Sequence, residues 1–184
     1  MISLLRPWSY LLIRPQTSDL KMVNYYLPLG LALVTIFSSY LINSDGATIF
    51  LDDSALIKIG SFIQTLPGFY LAALAAIATF SKPDLDAFLL GKELYISNED
   101  GNEIRLTRRR FLTIMFAYLT VQSFVFSLLC VMINNINFSI FDYATNNYLA
   151  FIVGGFLFFI FWQLITITLW GIFYLAEKIH TPNP

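Results

Sequence analysis

The chain has 184 residues, of which 57% are hydrophobic, 17% aromatic and 12% charged, with a net charge of −1. Soluble domains carry roughly 25% charged residues, and a chain this short without them cannot cover a globule with polar groups. That excludes a soluble enzyme, a disordered regulator and a nucleic-acid-binding domain, and predicts an all-α integral membrane protein with a single membrane domain over residues 1–184.

The first segment, residues 1–16, places Leu4, Leu5, Trp8, Leu11 and Leu12 at helical spacing, with an Arg-Pro pair after each apolar cluster. It is too short to span a bilayer, and no small-residue cleavage site follows it. It predicts an interfacial helix with Arg6 and Arg14 near lipid phosphates, or an arm packed on the helix bundle.

Crossing about 30 Å of hydrocarbon takes roughly 20 apolar residues. Four stretches qualify, at 22–42, 55–80, 111–133 and 148–174. Pro28 sits in the first two turns of the first, where proline is least disruptive. In the second, Pro67 and Gly68 lie mid-span beside Gln64 and Thr65, which predicts a kink. Ser61, Thr65, Gly68, Ala72, Ala75 and Thr79 form a small-residue stripe on that span, of the kind that lets membrane helices associate. Ser123, Ser127, Cys130 and Asn134 share a face of the third span; Gly155, Phe159, Gln163, Thr166 and Trp170 share one of the fourth. Two uses of these faces stay open. They pack helices together, or, in an oligomer, Gln64, Thr65, Gln163 and Thr166 line a pore hinged at Pro67 and Gly68.

Residues 81–110 are the one sizeable soluble element. They read as a short helix from Asp84 to Leu90, then strands Glu93 to Ser97 and Glu103 to Thr107 around an Asp100-Gly101 turn. A lone hairpin is marginal in water, so this one is expected to pack on the bundle, a sister subunit or a partner protein. With Arg105 it is the candidate docking surface. Thr107 reads as a helix cap, and Arg108, Arg109 and Arg110 as a basic anchor for the third span.

Lysine and arginine placement orients the spans. Ten of the eleven basic residues fall in the two tails and the 81–110 loop, while the opposite connections carry Asp45, Asp52, Asp53 and Asp142. Only Lys58 lies near that face, within reach of Asp52 and Asp53. Both termini and the central loop are therefore expected in the cytoplasm. Cys130 and His180 are the sole cysteine and histidine, so no disulfide, metal or cofactor site is expected.

The segments Gly68-Phe69-Tyr70-Leu71-Ala72-Ala73-Leu74 and Leu106-Thr107-Arg108-Arg109-Arg110-Phe111-Leu112, in this order of elements, resemble small bacterial inner-membrane proteins. Size and topology are similar to the four-span membrane subunits of anti-phage defence systems of the Kiwa type. That resemblance implies an oligomer working with a soluble cytoplasmic partner, and carries over no functional residue. The expected function is an oligomeric inner-membrane scaffold or effector that docks a partner through residues 81–110. The alternative is a homo-oligomeric channel or depolarising pore gated by that loop. An enzyme is not expected, because the loop acids Asp84, Asp86, Glu93, Glu99, Asp100 and Glu103 have no histidine or evident pocket beside them.

Overall fold

The computed structural model describes residues 3–14, 17–42, 55–79, 83–88, 94–97, 103–134 and 143–180. Four helices are long and apolar enough to cross a membrane: Ser18–Ser39, Lys58–Thr79, Arg108–Ile133 and Phe151–Ala176. The chain is a multi-pass membrane protein. Each observed span lies within a few residues of its sequence-predicted bounds, because length and apolarity are local properties.

The first span opens with α1 (Ser18–Lys21), whose cap is Thr17: its hydroxyl accepts from Leu20 N at 3.3 Å. The helix then widens through a π-helical turn, Met22–Tyr26, before α2 (Leu27–Ile42). The second span is two helices, α3 (Ala55–Ile63) and α4 (Leu66–Thr79). Proline has no N–H, and its ring crowds the carbonyl four residues back. For Pro67 that carbonyl belongs to Ile63, the last residue of α3. The predicted kink is therefore a break at Gln64 and Thr65, where Thr65 N tightens onto Phe62 O at 3.1 Å. Further on come α5 (Pro83–Asp86), β1 (Tyr95–Ser97), β2 (Glu103–Arg105), α6 (Arg108–Asn134) and α7 (Tyr143–His180). At 1.5 Å per residue the 38 residues of α7 run about 57 Å, well beyond the hydrocarbon thickness.

The third and fourth spans form the centre of the bundle. Over an apolar 18-residue stretch of each, half of the third and 39% of the fourth are buried, against 22% of each of the other two. The most extensive contacts join α2 to α7 and α4 to α6, while α6 also packs on α7 and α3. The lateral order is thus second, third, fourth, first span, with the first and second at the edges. Apolar burial does not drive helix association in lipid, so close packing must. Gly60 lets α3 approach α6: a Cβ added there would lie 3.2 Å from Cys130 Cβ. Gly171 does the same for α7, since a side chain there would overlap the Met115 methyl of α6. Leu33, Phe37, Leu128, Ile152 and Phe173 point outward, as lipid-facing residues do.

The strands pair antiparallel in the register Tyr95↔Arg105, Ile96↔Ile104 and Ser97↔Glu103. β2 ends at Arg105 rather than at Thr107, which leaves the ladder to bridge Phe88; Glu93, expected to begin the first strand, lies outside the described residues. α5 likewise stops at Asp86, with Phe88 already bridged to Thr107; Leu89 and Leu90, expected in that helix, lie outside the described residues.

The N-terminal tail packs on the bundle: Ser3–Leu12 is a 3-10 helix, where the sequence predicts an α-helical spacing, and it lies on α6 with Arg6, Trp8 and Leu12 exposed. Pro7 lies inside it and cannot donate to an α-helical ladder. Tyr10 and Ile13 are each 2% exposed, and Tyr10 stacks on Tyr118 with ring centroids 5.2 Å apart.

Candidate functional site

Two polar constellations stand out, one inside the bundle and one at its hairpin end. The inner one begins at the π-helical turn. A π turn shifts hydrogen bonding from i−4 to i−5, as Leu27 N does onto Met22 O, and Pro28, with no N–H, leaves the Asn24 carbonyl four residues back without its helical donor. In hydrocarbon such groups must be satisfied by protein. Gln163 Nε2 donates to Asn24 O at 2.8 Å, and Thr166 Oγ1 donates to Val23 O at 3.0 Å. Gln163 Oε1 accepts from Gln122 Nε2 at 2.7 Å and from Tyr118 OH at 3.1 Å. On the other side Tyr10 OH donates to Asn24 Oδ1 at 3.0 Å.

This chain of donors has one direction. The Asn24 carbonyl can only accept, so the Gln163 amide nitrogen must face it, and its oxygen must face Gln122 and Tyr118. Gln122 then presents its nitrogen to Gln163 and leaves Oε1 buried without a hydrogen-bond partner. Burial pushes the Tyr10 phenol above its ordinary range, opposed by the hydrogen bond to Asn24, so the group stays a neutral donor. Two further bonds tie the spans together: Trp162 Nε1 donates to Thr35 Oγ1 at 2.9 Å, and Tyr70 OH lies 2.6 Å from Thr168 Oγ1.

The hairpin end is a second, charged assembly. Arg14 N donates to Tyr95 O at 2.9 Å and Tyr95 N to Arg14 O at 2.6 Å, so the arm extends the hairpin on its β1 edge. Arg109 grips Asp86 through two bonds, Nε to Oδ1 at 2.6 Å and Nη2 to Oδ2 at 3.1 Å. Its third nitrogen donates to Ile77 O at 2.5 Å, capping the end of α4. The Arg109 guanidinium holds the Asp86 carboxyl below its ordinary value. The Arg105 guanidinium lies 4.5 Å from the Phe88 ring centroid. Thr107 caps α6 as the sequence predicts, its hydroxyl accepting from Arg110 N at 3.3 Å.

No protein-family model, curated protein or solved structure matches the chain.

The residues singled out in the sequence divide between these regions. Gln163 and Thr166 are buried, 5% and 6% exposed, with their polar atoms engaged by the first span and α6. Gln64 and Thr65 are exposed at the break of the second span, so the two pairs do not share a surface within one subunit. Pro67 is buried and Gly68 exposed, with no atom within 4 Å of an added Cβ. The whole stripe Ser61, Thr65, Gly68, Ala72, Ala75 and Thr79 faces outward.

The three consecutive arginines do not act as one anchor: Arg108 is buried, 2% exposed, Arg109 is the clamp, and Arg110 alone is exposed. Successive helical positions point about 100° apart, which separates their fates. Lys58 is exposed at the far end of the second span, while Asp52, Asp53, Asp100 and Gly101 lie outside the described residues. Asn24, Tyr10, Tyr118 and Gln122 belong to the inner network and were not singled out. Their signal was present: Asn24 and Gln122 are amides inside apolar spans, where each needs a partner.

Proposed function

We propose that the chain is an oligomeric membrane scaffold whose hairpin end, in the cytoplasm, docks a soluble protein partner. One observation carries this reading. Residues 83–88, 94–97 and 103–107 are held as one platform by the Arg14–Tyr95 bridge, the Phe88–Thr107 bridge and the Arg109–Asp86 clamp. A platform fixed on several sides pays little ordering entropy on binding. It presents Phe88, 50% exposed, with the Arg105 guanidinium 4.5 Å from its ring, a mixed apolar and charged surface suited to a protein partner. The cytoplasmic side follows from the basic residues gathered at this end, and inner-membrane location from the bacterial resemblance. That resemblance, to Kiwa-type subunits, extends the proposal to anti-phage defence.

Self-association is supported by the outward-facing stripe of the second span. Gln64 adds a reason of its own, because an amide exposed within a span lacks partners in lipid tails. A second copy's helix or a water-filled pore supplies them, and the pore is the second reading.

A photo-crosslinking residue in place of Phe88, in the intact chain in its native cells, tests the first. A discrete soluble adduct, lost when residues 98–102 are replaced by Asn-Gly, is the expected result; unchanged recovery after that replacement refutes hairpin docking. Membrane potential tests the second. Depolarisation by the chain alone that disappears in Gln64→Leu establishes a pore, whereas depolarisation unaffected by Gln64→Leu removes Gln64 from any pore lining.

A further inference from the structure

Beside the hairpin, the N-terminal arm, the end of α1 and the two strands line an open cleft of about 580 Å³. Its lining includes Leu11, Leu12, Arg14, Lys21, Tyr95 and Glu103. The volume is in the range of small-molecule sites. The Arg14–Tyr95 bridge sets its width by fixing the arm to β1.

Three features define what fits. First, depth: Lys21 lies in the opening turn of the Ser18–Ser39 span, so the cleft sits at the level of lipid headgroups. Second, charge: Arg14, Lys21 and Glu103 are all exposed, and among the described residues none is engaged in an ion pair. Two cations and one carboxylate therefore face a single space. Third, polarity: Leu11 and Leu12 form an apolar wall, with Leu12 68% exposed.

We propose that this cleft binds the headgroup of a zwitterionic aminophospholipid of the phosphatidylethanolamine type. The phosphodiester lies between Arg14 and Lys21, since a guanidinium fork matches phosphate geometry. The ammonium meets the Glu103 carboxylate, and the glycerol and first acyl carbons run along Leu11 and Leu12. Phosphatidylglycerol satisfies the cations but leaves Glu103 opposite a headgroup without positive charge. Phosphatidylcholine supplies the charge but no N–H to donate to the carboxylate. Only the primary amine completes both halves.

The full chain in nanodiscs of equal phosphatidylethanolamine, phosphatidylglycerol and phosphatidylcholine content provides the test, with retained lipids counted by native mass spectrometry after release. Wild type should keep phosphatidylethanolamine about threefold over the other two, the size of effect an exposed ion pair supports. Glu103→Gln should erase that preference. Glu103 is exposed and pairs with Ser97 in the strand register, so this substitution leaves the hairpin intact. Arg14→Ala combined with Lys21→Ala should lower retention of all three lipids. Equal retention by wild type, or a preference that survives Glu103→Gln, overturns the proposal. So does inorganic phosphate that binds the chain while wild type keeps no lipid in preference to another, which would assign the cations to a free anion.

Discussion

Replacing Gln163 by leucine removes the centre of the inner network while keeping side-chain volume nearly constant. Three hydrogen bonds go: to Asn24 O at 2.8 Å, from Gln122 Nε2 at 2.7 Å and from Tyr118 OH at 3.1 Å. Interhelical hydrogen bonds in a bilayer average about 0.6 kcal/mol, because the unfolded chain finds other partners there. Three of them come to about 2 kcal/mol, the expected loss for Gln163→Leu. Gln122→Leu is the control. It deletes one bond and also the buried, unpartnered Gln122 Oε1, and losing an unsatisfied group offsets losing a bond. Its expected effect is within about 0.5 kcal/mol of zero. Unfolding in bicelles by steric trapping measures both. Should Gln163→Leu leave stability unchanged, or Gln122→Leu cost as much as Gln163→Leu, the directional reading of this network is wrong.

Three further predictions concern packing, charge and the helix break. Gly171→Val should cost about 1–3 kcal/mol by overpacking against Met115, and Met115→Ala should recover much of it in the same unfolding assay. The Asp86 carboxyl is held below its ordinary value of 3.8, so the protonated form favours the unfolded state. The stability it contributes is present above that value and lost as pH falls through the lower folded value. Hydrogen exchange around α5, corrected for intrinsic rates, should therefore rise on acidification below pH 3.8 in wild type, and should show no such step in Asp86→Asn. Pro67→Ala restores the missing N–H, so spin labels on Ser61 and Ala72 should report a straighter second span. An unchanged distance distribution would trace the break to another cause.

Much of the fold was legible because its determinants are local. Four apolar stretches of sufficient length specify four spans whatever they pack against. Pro67 breaks its helix through its own ring, Thr107 caps the residues beside it, and the short apolar runs on either side of residues 98–102 pair as antiparallel strands. The candidate sites were less legible, since their partners lie far apart in the chain. Gln163 and Thr166 stood out as polar residues in a span, but their engagement depends on carbonyls 139 and 143 residues away.

Asn24 O lacks its helical donor because Pro28, four residues on, has no N–H, and the helix widens just before it at Met22–Tyr26. Pro28 disfavours the regular α pattern there, and the tertiary partners that satisfy the freed carbonyls stabilise the turn. The arm is a similar case: its apolar spacing suits a membrane surface or a protein groove equally, and only the tertiary structure shows Tyr10 packed on Tyr118 and Phe111. Three adjacent arginines look equivalent in sequence, yet the helix turns one inward, one onto Asp86 and one outward. The sequence by itself determined which segments enter the membrane, where one of them breaks and which end is basic. Tertiary structure decided which polar groups are engaged and which are exposed, because hydrogen-bond satisfaction in a bilayer is settled between helices rather than within them.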